Sequence, residues 1–290
     1  MRFFLIEPRG FCFGVKHALD MVEDVIVKYP HKNIYVYNEI VHNKAIVEDL
    51  MGRGIIFTQD ETAVPDEAVV IFSAHGVSPV IRSFFMGRNV EIVDATCPLV
   101  KKVHDEVVRF SSEGYHIIYI GDPRHDEVKG VVAEAPDYIT VVQNEEDLNM
   151  ADGYDKYIVL NQTTLNIFET AELRKKIANK FDNVLFPEKE DICYATTARQ
   201  QAVKEAVAKC DSFIVLGSKN SSNSKKLKEI ACACGVKAIL VDDPSEITAE
   251  WLSGVESLCV SSGASAPEYL VQKLAKRLRE EYGFEQTDGS

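Results

Sequence analysis

Two hydrophobic periods alternate along the chain. Behind Cys12, the residues Val15, Ala18, Leu19, Val22 and Val25 line one face of a helix. Val100, Val103, Val107 and Phe110 do the same behind Cys97, and Ala198, Ala202, Val203, Ala206 and Val207 behind Cys193. Each predicted helix precedes a short run rich in β-branched and aromatic residues, at 34–37, 117–120 and 213–216. Such runs read as buried parallel strands. Each strand then empties into a polar loop: 39–43, 121–127 and 217–224.

Three such stretches predict an architectural repeat. From cysteine to polar loop, the separations to His42, His125 and Ser222 are 30, 28 and 29 residues. A second helix, a strand and an acidic connector lead in each unit to a further apolar strand ending in small polar residues, at 73–76, 161–164 and 261–265. From the same cysteines, His75, Thr163 and Ser265 lie 63, 66 and 72 residues on. A third helix follows in every unit. In the first two, a strand (90–93, 184–186) then leads into the next cysteine, whereas the third unit shows none after its helix near 269–282. The missing strand is available at 3–6, which runs directly into Cys12. The expected fold class is α/β, with three pseudo-threefold-related, trefoil-like α/β units and the N-terminal strand completing the third. Expected boundaries are 14–97, 98–193, and 194–285 with 1–13; residues 286–290 read as a disordered tail. Functional loops of open α/β sheets gather at the carboxyl ends of parallel strands, so cysteines and polar loops are expected to converge on one centre.

Composition narrows the function. With 46% hydrophobic and 27% charged residues, the chain reads as an ordinary globular protein rather than a disordered one. Its N-terminal apolar run is too short for a signal peptide and no stretch suits a bilayer, so a cytoplasmic location is expected. A formal charge of −13 with no block of Lys and Arg disfavours nucleic acid and membranes as partners. It leaves a small anionic substrate open, because a pocket can be locally positive. Seven cysteines in a cytosolic chain do not suggest a disulfide framework. Cys210, Cys232, Cys234 and Cys259 fall outside the repeat and read as packing residues.

Cys12, Cys97 and Cys193, arriving from three units, have three readings: a zinc site, a catalytic thiol with neighbours, or three corners of an iron–sulfur cluster. Thiolates suit zinc and iron–sulfur alike, so spacing leaves these two level. A cubane with only three protein thiolates leaves one iron open for substrate. His42, His75 and His125 at equivalent strand ends point to a shared anion pocket, although each alone reads as a capping or core histidine. Ser221, Ser222, Asn223 and Ser265 read as N-caps, or as phosphate contacts at helix N-termini. No nucleotide-binding glycine motif is present. Glu127, two residues after His125, is the candidate proton donor; alternation along an extended segment is expected to point Asp126 away from it.

The segments around these residues resemble the 4-hydroxy-3-methylbut-2-enyl diphosphate reductase family. The resemblance is carried by Pro8-Arg9-Gly10-Phe11-Cys12-x-Gly14-Val15, Val41-His42-Asn43, Phe72-Ser73-Ala74-His75-Gly76-Val77 and Asp94-Ala95-Thr96-Cys97-Pro98-Leu99-Val100. It continues through Gln162-Thr163-Thr164-Leu165, Asp191-Ile192-Cys193-Tyr194-Ala195-Thr196-Thr197, the 217–224 loop and Gly263-Ala264-Ser265-Ala266-Pro267. It implies reductive dehydroxylation of an allylic diphosphate to isopentenyl and dimethylallyl diphosphate, the last step of the methylerythritol phosphate route to isoprenoids. By matching position, Cys12, Cys97 and Cys193 are implied as ligands of a central 4Fe–4S cluster whose fourth iron stays open for the substrate alcohol. His42, His75, His125, Ser221, Ser222, Asn223 and Ser265 are implied as diphosphate contacts, and Glu127 with Thr163 as the proton relay. Ferredoxin or flavodoxin is the implied electron donor. Two positions depart from the family pattern: His125-Asp126-Glu127 stands where His-Pro-Glu is usual, which puts the rigidity of that loop in question, and Phe13 stands where the family often has a small residue.

Three rival readings are distinguishable. A quinolinate-synthase-like dehydratase shares a triplicated frame and a three-cysteine cluster but has no need of the serine-rich loop. A cluster-binding sensor or electron carrier is expected to close the fourth iron position, and no fourth cysteine lies in the frame. A zinc-stabilised binding module is separated by metal analysis after anaerobic purification.

Overall fold

In the computed structural model, which describes residues 1–187 and 191–287, three parallel sheets repeat one strand order. The chain opens with β1 (Arg2–Leu5) and α1 (Phe13–Lys28). The first sheet follows, from β2 (Ile34–Tyr37), α2 (Lys44–Gly52), β3 (Ile56–Thr58), β4 (Val69–Phe72), α3 (Pro79–Met86) and β5 (Glu91–Asp94), in the order β3-β2-β4-β5. After α4 (Pro98–Ser112) come β6 (His116–Ile120), α5 (Asp126–Val132), β7 (Ile139–Val142), β8 (Tyr157–Asn161), α6 (Ile167–Lys180) and β9 (Val184–Leu185), ordered β7-β6-β8-β9. After α7 (Tyr194–Ala206) come β10 (Ser212–Leu216), α8 (Ser222–Ala233), β11 (Lys237–Val241), α9 (Ala249–Leu252), β12 (Ser257–Ser262), α10 (Glu268–Glu280) and β13 (Glu285–Thr287).

The third sheet has the order β11-β10-β12-β1-β13. β1 therefore takes the place that β5 and β9 hold elsewhere, with Phe3, Phe4 and Leu5 beside Leu258, Cys259 and Val260. This is the closure expected from the sequence. The expectation that no strand follows the last helix is corrected: β13 pairs parallel with β1, Arg2 against Glu285 and Phe4 against Thr287. The expected tail fails at its first two residues, Gln286 and Thr287, which lie in that strand; 288–290 fall outside the described residues.

By compactness the chain forms two units, one of Met1–Val15, His42–Ile46 and Tyr194–Ser290, the other of Lys16–Val41 and Val47–Cys193. The first holds the third sheet. Its core sets Phe3, Ile214, Leu258 and Val260 against Val271, Leu274 and Leu278 of α10. The second unit holds the other two sheets. Val103, Val107 and Phe110 of α4 pack on Ile117, Ile158 and Leu160, while Leu173 and Ile177 of α6 cover Ile118 and Val159 on the opposite face. Strands buried on both faces explain the continuous apolar runs, and each fully buried Ile, Leu or Phe contributes roughly 1.5–3 kcal/mol. Among the described residues no helix is long and apolar enough to cross a membrane.

One helical face differs from expectation. In α7 the buried positions include Arg199 and Gln200 beside Val203 and Ala206, while Ala198 and Ala202, and Val207 just beyond the helix, are only half-buried. Arg199 is tolerated there because its guanidinium donates to Ala195 O at 3.1 Å and to Gly10 O at 2.7 Å. Alanine carries too little apolar area to decide a helix face against such a group.

Candidate active site

Each frame cysteine sits between a strand end and a helix start. Cys97 follows β5 as the N-cap of α4, makes no side-chain cap bond, and is succeeded by Pro98 at a position where a missing N–H is harmless. Its own N–H donates to Ala74 O at 3.0 Å, Cys193 N–H to Thr163 O at 3.0 Å, and Cys12 N–H to Ala264 O at 3.1 Å. Ala74, Thr163 and Ala264 are each the second residue beyond their strand, β4, β8 and β12. One hydrogen bond thus ties every cysteine to the polar segment that the repeat assigned to its unit. All three are half-buried, whereas Cys210 and Cys259 are buried and Cys232 and Cys234 exposed. Among the described residues no cysteine forms a disulfide, and no three His, Cys, Asp or Glu side chains gather tightly enough for a single metal ion.

The acid loop lies in the second unit. Glu127 is 1% exposed, and its two oxygens accept from Thr163, Oε1 from the N–H at 2.7 Å and Oε2 from the hydroxyl at 2.9 Å. Burial pushes its carboxyl up to about 7, against the opposing effect of the two Thr163 bonds and of His104. A carboxyl titrating near neutrality is suited to give up a proton at physiological pH. Asp126 does point elsewhere, pairing with Lys129 at 3.1 Å, but the reason differs from the expected strand alternation: both acids lie in α5, where successive residues are turned by about 100°. His125 is the N-cap of that helix and Asp126 its first residue. Proline and aspartate both suit this position, one by its fixed φ and the other by its charge at the positive helix end. Asp126 therefore preserves the helix start.

His125 Nδ1 accepts the Glu127 N–H at 3.2 Å, so in the neutral ring the hydrogen is on Nε2. His75 meets His125 edge-on, ring centroids 5.6 Å apart. The residue after His75 must be glycine: Gly76 has φ +77°, and a Cβ there falls 2.9 Å from His104 Nε2. The first unit carries the other expected anion contacts. Ser221 caps α8, accepting the Ser224 N–H at 3.3 Å, and Ser265 donates its hydroxyl to His42 O at 2.9 Å. Asn223 Oδ1 accepts from Thr196 Oγ1 at 3.4 Å, whereas Asn223 Nδ2 and Ser224 Oγ are buried with no hydrogen-bond partner among the described residues. The Ser224 hydroxyl occupies space left by two glycines; a Cβ on Gly217 or Gly263 falls 2.2 or 1.9 Å from it. Phe13 is 60% exposed, so its ring demands no room inside the fold.

Three buried polar residues beside expected site residues, one in the first unit and two in the second, were not expected from the sequence. Arg199 holds Gly10 ahead of Cys12, His104 props Gly76 while its Nδ1 meets Glu134 Oε1 at 2.6 Å, and Asp191 precedes Cys193. For His104 a signal existed, since a histidine between Val103 and Val107 shares the apolar face of α4.

Comparison with known proteins agrees with this frame. The family model described as LytB protein matches residues 3–279. A 4-hydroxy-3-methylbut-2-enyl diphosphate reductase of Nocardia farcinica is 45% identical over 282 residues, covering 96% of this chain and 84% of the relative. The enzyme of that name from Actinobacillus succinogenes is 45% identical over 286 residues, 97% of this chain and 90% of the relative. Among solved structures, the E-1-hydroxy-2-methyl-but-2-enyl-4-diphosphate reductase of Plasmodium falciparum superposes with TM-score 0.96 at 37% identity, covering 100% of this chain and 92% of that one. A second, (E)-4-hydroxy-3-methyl-but-2-enyl diphosphate reductase, named as the terminal enzyme of the non-mevalonate pathway, gives TM-score 0.68 at 30% identity over 97% of this chain and 100% of that one. On the family model and on relatives matched along nearly their whole length, this chain belongs to the LytB protein family.

Proposed function

We propose that the chain reductively dehydroxylates (E)-4-hydroxy-3-methylbut-2-enyl diphosphate, giving isopentenyl and dimethylallyl diphosphate in the last step of the methylerythritol phosphate pathway. The observation that carries this reading is the buried Glu127 carboxyl, titrating at about 7 and gripped by Thr163, whose carbonyl accepts the Cys193 N–H. An acid poised for neutral pH is thereby bonded to the residue that anchors a thiol.

Cys12, Cys97 and Cys193 are the residues to hold a 4Fe–4S cluster. Their fit is supported by equivalent placement, half-burial and soft donor chemistry, and by the separate placement of the other four cysteines. When bound, such a cluster supplies electrons singly and leaves one iron without a protein ligand. His42, His75, His125, Ser221, Ser222, Asn223 and Ser265 bind the diphosphate. The buried Asn223 Nδ2 and the Nε2 hydrogen of His125 are donors suited to it. Ser265 contributes once its hydroxyl turns from His42 O. Hydroxide leaves poorly, so Glu127 delivers a proton to the departing oxygen, which leaves as water. The allyl fragment takes two electrons and one further proton. Thr163 orients the acid, and its hydroxyl passes from donor to acceptor when Glu127 Oε2 gains a proton. Ferredoxin or flavodoxin supplies the electrons, in the cytoplasm.

The test is anaerobic assay of iron- and sulfide-reconstituted protein with this substrate and a chemical reductant. Formation of both five-carbon diphosphates supports the reading; a reconstituted protein that binds iron yet leaves the substrate intact contradicts it.

A further inference from the structure

Asp191 is a deeply buried carboxylate, two residues from Cys193, that the proposed reaction does not use. Its side chain is 1% exposed. A carboxylate at that depth is held only by strong partners, and both oxygens have one: Oδ1 accepts Lys102 Nζ at 2.8 Å and Oδ2 accepts the Asn161 N–H at 2.9 Å. Lys102 lies on α4, the helix that Cys97 caps, and is shared with Glu106 at 3.1 Å. Asn161 ends β8, two residues before Thr163. Asp191 itself stands two residues before Cys193, whose N–H closes onto Thr163 O. One carboxylate therefore joins α4, β8 and the segment before α7, which adjoin Cys97, Thr163 and Cys193 in turn.

We propose that Asp191, through its Lys102 ion pair, is a positioning residue that holds the Cys193 segment in register with the helix begun at Cys97. The inference rests on the cluster reading above for its role, but its mechanical content does not. The pair is buried at its carboxylate end, with the Lys102 side chain 32% exposed, and such pairs add little net stability over apolar packing while they can fix one arrangement among several. Groups that orient metal ligands behave in the same way, and their loss typically weakens metal retention.

The experiment uses Asp191→Asn, Lys102→Met and Lys102→Arg in the full chain. In apoprotein, amide hydrogen exchange at Cys193 and Asn161 is expected to quicken about tenfold in Asp191→Asn and Lys102→Met, while core amides of the third sheet keep their protection. In anaerobically reconstituted protein, the same two variants are expected to lose iron to a chelator about tenfold faster, with a displaced reduction potential, and Lys102→Arg to restore both. Unchanged exchange at Cys193 in Lys102→Met, the variant with its altered side chain nearer solvent, overturns the proposal. So does faster exchange without faster iron loss. If the wild-type chain takes up no cluster, the functional reading fails, and the exchange rates still decide whether Asp191 holds the segment.

Discussion

The acid pocket and the serine-rich loop handle buried polar atoms in opposite ways. At Glu127 both carboxylate oxygens are engaged by one residue, Thr163. In the loop, Asn223 Nδ2 and Ser224 Oγ are buried and unpartnered among the described residues. On the proposed reading, a proton donor is aimed before the substrate arrives, whereas an anion donor such as Asn223 Nδ2 serves best when nothing in the protein occupies it. Leaving them open costs roughly 1–3 kcal/mol per group in the absence of ligand. On that reading, stability is given up in the loop for binding, and in the acid pocket for a raised carboxyl pKa.

The largest consequence is a pH-dependent stability. The folded-state pKa of Glu127, about 7, lies above its ordinary 4.5, so the native state holds this proton more tightly than the unfolded chain. Its contribution is fully present below the ordinary value and is lost as pH rises through about 7, a fall of about 3 kcal/mol. Urea unfolding of the apoprotein across that window is expected to show the fall, and Glu127→Gln to flatten it. Next in size, Thr163→Val is expected to lower kcat about 100-fold with little change in KM, because it disturbs the aim of the acid alone. Asn223→Leu is expected to do the reverse. It raises KM about tenfold with kcat nearly kept. Equal losses of kcat in these two variants remove the distinction between the regions. The smallest effect belongs to Cys210→Ala and Cys259→Ala. Both thiols lie against Ala206 O within the core, and iron content is expected to match the wild type.

Much of the frame was legible because it rests on local pattern. The strand at 34–37 and the apolar faces of α1 and α4 follow from periodicity, and the role of β1 follows from a strand that the third repeat lacked. β13 was invisible because Glu285, Gln286 and Thr287 are polar and exposed, and their order comes from backbone pairing with β1 and the Arg279–Gln286 hydrogen bond. The buried face of α7 was misread because Arg199 reaches the Gly10 carbonyl, far away in sequence, a contact that no local pattern reveals. At the site, spacing brought out the cysteines and the strand-end position of Thr163, Glu127 stood out as the carboxylate two residues after His125, and family resemblance paired it with Thr163. Its double grip on Glu127 is a tertiary fact, as is the Asp191–Lys102 pair.

The most direct test of Glu127 as the proton source is a single-turnover experiment on reduced, reconstituted Glu127→Gln with the hydroxymethylbutenyl diphosphate. Diphosphate binding is expected to remain within about threefold of wild type, while product formation falls by at least about 100-fold. Turnover at the wild-type rate in that variant contradicts the assignment.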